Sequence, residues 1–487
     1  MRYSADPLRA ARALSAFVVL GAALSGLSVV AAAADWPTFD GNASRSAWLN
    51  TDHSVNPRNV QRLSVHWVAS LDAVADSTPI FVARVRMRSG IEPMLFQTDG
   101  AGKTYGIDAA TGAIVWRFTT SGPNITASTP VLDPGGSAIF VPGLDGYVHK
   151  VDAATGTELT APGFPAQITL MPQTEKDASP LNIANGYLYA ATSGYYGDAP
   201  PYDGHVVVVR LRDGKTNVFN SLCSNLHMLL NGSGCSSVRS GVWARAGVVV
   251  DPDASMNGRA YFATGNGPFE RKEFDFGDSM VALSADGARS VDSFTPADNM
   301  RLWNDDTDLG STGPAMLPSI SRSKTPLLAV QGGKGRVLYL LDRTHLGGVG
   351  GEMQRVPLTG ELFTAPAVST DNAGRPVVFL GILPDSSDVM ALTVETNAQG
   401  QSRLRHLWTA TVGGTSPVAS GGLVFVAASG VLSALDAHTG AVLWQSTNGS
   451  AGGSIGSIHW QSPIVVNGGV YVSDGSGHLT AYTINGT

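Results

Sequence analysis

The sequence is poor in charged residues and in cysteine. Asp, Glu, Lys and Arg make up 15% of its 487 residues, and no run of basic residues is present that would bind nucleic acid. The chain has two cysteines and no Cys-x-x-Cys-His motif, so we expect no covalently bound haem. Neither His-Glu-x-x-His nor paired Cys-x-x-Cys motifs occur, which excludes the zinc sites that those motifs form.

Long apolar runs are also scarce, and the one that occurs lies at the N-terminus. Arginines precede an uncharged run from Ala13 to Ala34, which ends in small residues and is followed by the polar segment DWPTFDGNASR. This order is typical of a cleaved secretory signal peptide, with a retained membrane anchor as the alternative. We therefore predict a signal peptide at residues 1–34 and one mature domain at residues 35–487. It would have no membrane span and a periplasmic or secreted location.

The two cysteines, Cys223 and Cys235, lie in the loop-like stretch NSLCSNLHMLLNGSGCSSVRS. Exposed thiols do not persist in an oxidising compartment, so we predict that these two residues form a disulfide. Closing so short a loop should stabilise the fold by about 3 kcal/mol, because it restricts the unfolded chain. Two free thiols are the alternative.

Glycine is abundant, with 57 residues, and it recurs within a repeated pattern. The pattern is an apolar strand that begins near Ser/Thr-Pro, two further strands, the turn Asp-Ala-x-Thr-Gly and a last strand with Trp. The segments YGIDAATGAIVWRF and SALDAHTGAVLWQS place Asp108 and Trp116 at the same spacing as Asp436 and Trp444. Alternating apolar residues on strands joined by such turns are typical of antiparallel hairpins with two buried faces.

The pattern occurs eight times between residues 77 and 485. Small sheets of this kind cannot bury both faces alone, and a ring of repeats leaves no exposed end. The last repeat lacks its Trp-containing strand, which the segment LSVHWVA at residues 63–69 can supply. We therefore predict an all-β fold, an eight-bladed β-propeller of four-stranded antiparallel blades whose N-terminal strand closes the last blade.

The repeat and the opening DWPTFDGN resemble the eight-bladed quinoproteins, the alcohol and methanol dehydrogenases that depend on pyrroloquinoline quinone (PQQ). As a whole the chain is more similar to the less defined PQQ-like repeat proteins. GVWARAGVVVDPDASMNGRAYFATGNG resembles the segment with the Trp beneath the cofactor, which implies Trp243. DDTDLGSTGPAMLP resembles the segment with the catalytic carboxylate, which implies Asp306 or Asp308. GGKGRVLYLLDRTHLGG resembles the strand that presents a basic residue to the quinone, which implies Lys334.

The resemblance implies PQQ and calcium as cofactors. A carboxylate would take the proton of a substrate alcohol, a cation would polarise the quinone carbonyl, and an aromatic face would support the flat cofactor. Calcium prefers carboxylate and amide oxygens, and Asp308, Asn266 and Asp278 are the candidate ligands.

Several features of that family are missing. Where the dehydrogenases have a Glu ligand, the segment ATSGYYGDAPPYDGHVVVV offers only Asp198 and Asp203. Where they have Gly-Asp-Asn, this chain has Gly-Asp-Ser with Asp278, and the vicinal cysteine pair that covers the quinone is absent. Cofactor binding therefore does not follow from the fold.

Each candidate also has a structural alternative. Trp243 would then pack between blades, Asp306 and Asp308 would cap backbone amides in turns, and Lys334 would be solvated. The two functions that follow are different in kind. One is an exported PQQ-dependent oxidoreductase that oxidises an alcohol or sugar and passes electrons to a separate acceptor. The other is a non-catalytic propeller that serves as a binding or scaffolding module in the cell envelope.

Overall fold

The structure is a computed structural model that describes residues 33–123, 128–195, 200–235, 239–383, 387–448 and 453–486. Within these ranges the chain is almost entirely β, with one α-helix at Asn299–Asn304. Short 3-10 helices occur at Phe39–Gly41, Val60–Arg62, Ala254–Met256 and Leu309–Ser311. The predicted signal peptide lies outside the described residues, apart from its last two positions.

The strands form eight blades arranged in a ring, which confirms the predicted propeller. Blade 1 contains Ile80–Arg86, Ile91–Thr98, Lys103–Asp108 and Ile114–Thr119. Blade 2 contains Val131–Leu132, Ala138–Pro142, Tyr147–Asp152 and Ala166–Gln167. Blade 3 contains Asn182–Ala184, Tyr187–Gly194, His205–Arg210 and Thr216–Asn220, with Glu175–Asp177 added beside its second strand. Blade 4 contains Val249–Val250, Ala260–Ala263, Met280–Leu283 and Ser290–Thr295, and its loop carries the small hairpin Phe269–Glu270 and Asp275–Phe276.

The second half of the ring follows the same plan. Blade 5 contains Ala315–Met316, Leu328–Gln331, Val337–Asp342 and Gln354–Pro357, and the segment Gly348–Val349 pairs with the last strand of blade 4. Blade 6 contains Ala367–Thr370, Pro376–Ile382, Asp388–Thr396 and Ser402–Ala410. Blade 7 contains Val418–Ser420, Leu423–Ala428, Val431–Asp436 and Val442–Gln445, with Trp48–Leu49 added in parallel. Blade 8 contains Ile464–Val466, Gly469–Ser473, His478–Ile484 and, from the N-terminal side, Leu63–Ser70.

Blade 8 closes the ring as the sequence predicts. Leu63–Ser70 pairs antiparallel with His478–Ile484, from Leu63 opposite Ile484 to Ser70 opposite His478. Strands from the two ends of the chain therefore share one sheet, so the ring has no unpaired terminal blade.

The Trp of the repeat joins each blade to the next one. The Trp116 indole N–H donates to the Ala153 carbonyl in the following turn, and Trp67 donates to Ala109 in the same way. The ring of Trp116 lies against Gly156, where a Cβ atom would come within 2.6 Å of it. Gly156 also has a positive φ of 71°. Glycine is required at this position of the Thr-Gly turn for both reasons.

The segment 36–47 bonds in sequence order to the first strands of several blades. Trp36 exchanges two backbone hydrogen bonds with Phe81 of blade 1, and the carbonyls of Pro37, Ala43, Ser46 and Ala47 accept from blades 2, 4, 6 and 7. Buried Arg45 donates to the carbonyls of Ala246, Pro180 and Leu181, among others. Because first strands line the axis of a propeller, this segment runs through the centre of the ring.

Candidate functional site

The blade topology places Trp243, Asp308 and Lys334 on one face of the ring. Trp243 and Asp308 precede the first strands of blades 4 and 5, and Lys334 lies between the second and third strands of blade 5. In an antiparallel sheet the start of the first strand and the end of the second strand lie at the same edge. The three residues can therefore meet although they are far apart in sequence.

The three side chains do meet, through the carboxylate of Asp308. Lys334 Nζ donates to Asp308 Oδ1 at 2.8 Å, and Trp243 Nε1 donates to Asp308 Oδ2 at 3.1 Å. The side chain of Asp308 is 6% exposed and that of Lys334 is 17% exposed. This is a largely buried ion pair that also fixes the orientation of an indole ring.

Two neighbouring residues extend this cluster toward solvent. Lys334 Nζ lies 3.5 Å from Asp306 Oδ1 and donates to the Asp306 backbone carbonyl at 3.3 Å. The Asn266 amide group donates to Asp306 Oδ1. Asp306 is exposed over 77% of its side chain, so it is the carboxylate of this cluster that solutes can reach.

An aromatic triangle lies beside the ion pair. The ring centroids of Trp243, Phe363 and Trp460 are separated by 6.1 to 6.2 Å. Lys334 Nζ lies 5.5 Å from the centre of the Trp243 ring and 6.0 Å from that of Phe363. Trp243 and Trp460 precede the first strands of blades 4 and 8, which are opposite in an eight-membered ring. Their contact therefore places the triangle on the axis, at one mouth of the ring.

Burial is the largest single influence on the pKa values of Asp308, Lys334 and Asp278. Burial raises the pKa of Asp308, and the charge and hydrogen bond of Lys334 offset this only in part. Burial lowers the pKa of Lys334, but Asp308 and Asp306 outweigh that effect and the net pKa is raised. Burial thus outweighs the ion pair at Asp308, whereas the ion pair outweighs burial at Lys334, because Asp308 is the more deeply buried partner. Burial, helped by the nearby charge of Asp308, raises the pKa of Asp278 to about 7.

The contacts of Lys334, Trp243 and Asp308 differ from the structural alternatives for these three residues. Lys334 is paired and mostly buried, so the expectation of a solvated lysine is wrong. Trp243 contacts a residue of the opposite blade, so it does not pack between neighbouring blades. Asp308 precedes the 3-10 helix Leu309–Ser311 without a side-chain cap hydrogen bond, so it is not a capping residue there.

The remaining candidates fall in different places. Asp278 Oδ1 accepts from the Leu309 backbone N–H, so Asp278 supports the loop that carries Asp308. Asp203 lies on blade 3, where its Oδ2 accepts from Gly232. Asp198 lies outside the described residues. The predicted disulfide between Cys223 and Cys235 is confirmed.

The described residues do not fit a calcium ion. Asn266 Oδ1 and Asp278 Oδ2 are buried without a hydrogen-bond partner, as metal-ligating oxygens often are before a metal binds. However, both oxygens of Asp308 are already taken by Lys334 and Trp243, and the ammonium group occupies the cation position beside this carboxylate. Across the described ranges, no three His, Cys, Asp or Glu side chains converge as metal ligands would.

The rings of the aromatic triangle are partly exposed and tilted 45 to 68° to one another, so one ring face at a time is open to stacking. One such face and the adjacent ammonium group of Lys334 fit a flat quinone, which needs an aromatic surface and a cation near its carbonyl oxygens. Two of the three rings, Phe363 and Trp460, are not indicated by the resemblance to quinoproteins. Phe363 and Trp460 each lie three positions before the proline that opens a blade, in FTAP and WQSP. Asp76, in DSTP, has the same position in blade 1. Aligning the repeats on this proline would have indicated that these residues share the axial mouth.

The fold and the site define an eight-bladed propeller of PQQ-like repeats. A sequence profile of the family described as outer membrane protein assembly factor BamB matches residues 65–224 and 394–486, which together exceed half of the chain. The chain therefore belongs to this family. Trp243, Asp306, Asp308 and Lys334 all lie between the two matched stretches.

Solved structures agree on the fold. A quinohemoprotein alcohol dehydrogenase from Pseudomonas putida is similar with a TM-score of 0.63 and 15% identity, over 93% of this chain and 80% of that one. A quinohemoprotein alcohol dehydrogenase from Comamonas testosteroni is similar with a TM-score of 0.60 and 16% identity, over 93% of this chain and 81% of that one. A europium-containing methanol dehydrogenase is similar with a TM-score of 0.62 and 17% identity, over 90% of this chain and 89% of that one. At these identities the likeness shows the fold alone.

No functionally curated protein sequence matches the chain. Among the described residues, no helix is long and apolar enough to cross a membrane.

Proposed function

We propose that this protein is an exported, quinone-dependent oxidoreductase that oxidises an alcohol or a sugar and passes the electrons to a separate acceptor. The observation that carries the proposal is the convergence of Lys334 and Trp243 on the carboxylate of Asp308 at the axial mouth. The disulfide and the predicted signal peptide support the location, since disulfides persist outside the cytoplasm.

A quinone bound at this mouth would supply the oxidising chemistry, by accepting a hydride from the substrate carbon. One ring face of the aromatic triangle would support its flat ring system. Lys334 would donate to a quinone carbonyl oxygen, and the ammonium group is already fixed in place by Asp308. Asp308 would act by positioning, because each of its oxygens already accepts a hydrogen bond from Lys334 or Trp243. Asp306 is the exposed carboxylate within reach of a substrate.

A non-catalytic scaffolding function in the cell envelope is the second candidate, and membership of the assembly-factor family favours it. The matched stretches do not include the four candidate site residues, so the match does not account for the buried ion pair. Lysine burial is costly unless the charge is paired, and a scaffold has no evident need for such a pair at a solvent-facing mouth.

Two assays on the purified mature protein test the proposal. The first measures PQQ binding from the quenching of tryptophan fluorescence. The second measures reduction of an artificial dye with ethanol or glucose as substrate. We expect Lys334→Met to weaken PQQ binding at least about tenfold, because it removes a charged hydrogen-bond donor. Lys324→Met is the matched control, since Lys324 is an exposed lysine near blade 5. Because the site does not fit calcium, we expect the same PQQ affinity in EDTA and in calcium chloride.

Three results would contradict the proposal. Wild-type protein that does not bind PQQ with or without calcium has no quinone function. PQQ binding that is equal in wild type and Lys334→Met places the ligand elsewhere. Binding of PQQ without any dye reduction favours the scaffolding function, with the mouth as a ligand site only.

A further inference from the structure

A histidine and an aspartate form a pair beside the aromatic triangle. His459 Nδ1 lies 3.2 Å from Asp76 Oδ2, and the side chains are 52% and 13% exposed respectively. The His459 ring also packs against Trp460, with 4.5 Å between centroids. Trp460 in turn contacts Trp243, which donates to Asp308, so the aromatic triangle connects His459 to the ion pair.

The surroundings of Asp76 hold it in place. Gln461 Nε2 donates to Asp76 Oδ1 at 3.2 Å and to the Ala75 carbonyl at 2.9 Å. Gln461 Oε1 in turn accepts from the His459 backbone N–H at 2.7 Å. Arg245 donates to the Asp76 backbone carbonyl at 3.2 Å. The glutamine therefore fixes both members of the pair, and the carboxylate cannot easily turn away from the imidazole.

This geometry sets the tautomer of the histidine. A carboxylate accepts only, so Nδ1 must carry the proton that bonds to Asp76. In the neutral ring the lone pair then lies on Nε2, for which the described residues provide no hydrogen-bond partner. A histidine oriented in this way by a carboxylate is a proton acceptor. Asp308, in contrast, is held by two donors, and its carboxylate is nearly fully buried.

We propose that His459 is the proton acceptor of this site and that Asp76 is its positioning residue. This inference rests on the proposed function. His459 Nε2 takes the hydroxyl proton of the substrate. A quinone, when bound, would supply the two-electron oxidant that accepts the hydride of the adjacent carbon. The substrate leaves as a carbonyl compound, and the exposed imidazolium returns its proton to solvent.

The charges that act on this pair come from three directions. Asp76 faces the ring from blade 1, Lys176 acts on Asp76 from beside blade 3, and Arg245 acts on it from blade 4. The Asp76→Asn variant tests whether this carboxylate positions the imidazole.

His459→Asn is the principal variant. An Asn amide can keep the hydrogen bond to Asp76 but has no atom at the Nε2 position. We expect kcat for dye reduction to fall about 100-fold or more, as for loss of a general base, with PQQ affinity unchanged within about twofold. Asp76→Asn should lower kcat about tenfold or more at unchanged KM. His438→Asn, in an exposed turn of blade 7, is the matched control and should match the wild type.

A second readout does not depend on turnover. Long-range proton–nitrogen NMR spectra report the tautomer of each histidine, and the His459→Asn variant identifies the signal of His459. We expect the Nδ1–H tautomer in the wild type at pH 8 and a mixture of tautomers in Asp76→Asn. An Nε2–H tautomer in the wild type, or no change in Asp76→Asn, overturns the inference.

The outcomes separate this inference from the proposed function. Full activity of His459→Asn overturns the role of His459 and leaves the quinone function intact. Wild-type protein that does not bind PQQ overturns the proposed function and the catalytic role together. In that case the NMR result shows whether the pair itself forms.

Discussion

Removal of the ammonium group of Lys334 tests the ion pair at the centre of the site. In Lys334→Met the stem of the side chain is kept, and the Trp243 indole remains as a donor to Asp308. Breaking a buried ion pair typically costs 3–5 kcal/mol, because the remaining charge is left uncompensated. Lys334 is 17% exposed, so water would solvate part of the cavity, and we expect a loss of about 3 kcal/mol at pH 8.

The loss should depend on pH in a defined direction. Burial already raises the pKa of Asp308, and loss of Lys334 raises it further. Such an acid has a higher pKa in the folded state than in the unfolded state. Its contribution to stability is fully present below the unfolded pKa and is lost as pH rises through the folded pKa. The stability difference between wild type and Lys334→Met should therefore shrink between pH 8 and pH 4.5. Urea unfolding followed by tryptophan fluorescence at both values measures it.

A double variant completes the test. Asp308→Asn removes the charge that Lys334→Met leaves unpaired, so the double variant should recover at least about half of the loss at pH 8. Lys324→Met should change stability by less than about 0.5 kcal/mol, as expected for an exposed lysine. A loss below about 1 kcal/mol in Lys334→Met, or a double variant that is less stable than Lys334→Met, would refute the buried pair.

Other groups give further predictions. Burial raises the pKa of Asp278 to about 7, so its ionisation opposes folding as pH rises through that value. Asp278→Asn should be more stable than wild type at pH 9, by up to about 4 kcal/mol, and similar at pH 4 by urea unfolding. Replacing Cys223 and Cys235 by serine should cost about 3 kcal/mol, because the disulfide closes a loop with a sequence separation of 12. Burial lowers the pKa of His149 but two carboxylates outweigh it, so the net pKa is raised. His149→Gln should destabilise more at pH 5.5 than at pH 9, since the imidazolium is lost as pH rises.

The ring could be predicted from the repeat because the repeated residues make contacts within one blade or with the next blade. The Asp-x-x-Thr-Gly turn and the Trp contact residues in the same or the next blade, so their spacing appears directly in the sequence. Resemblance to quinoproteins also indicated Trp243, Asp308 and Lys334, and the structure brings these three together. Their separation of up to 91 positions is spanned by the regular geometry of neighbouring blades, whose order the repeat had already given.

The rest of the site depends on contacts that no local pattern records. Trp460 meets Trp243 across the ring axis, and His459 meets Asp76 across the junction of the first and last blades. Such pairs become visible only when the number of blades and the position of each residue within its blade are both known. The course of the N-terminal segment 36–47 is hidden for the same reason, since its partners are spread over the whole ring.

Closure of the ring and assembly of the site are coupled through blade 8. This blade supplies Trp460 and His459, and its outer strand, Leu63–Ser70, comes from the N-terminal side of the chain. If that strand were unpaired, blade 8 would lose its cover on one edge, and the contacts of Trp460 with Trp243 and of His459 with Asp76 would lose their support. We therefore expect the axial mouth to depend on closure of the ring. A repeat protein can vary the axial residue of each blade without disturbing the turns that join the blades, and this freedom allows near-equivalent repeats to build an asymmetric site.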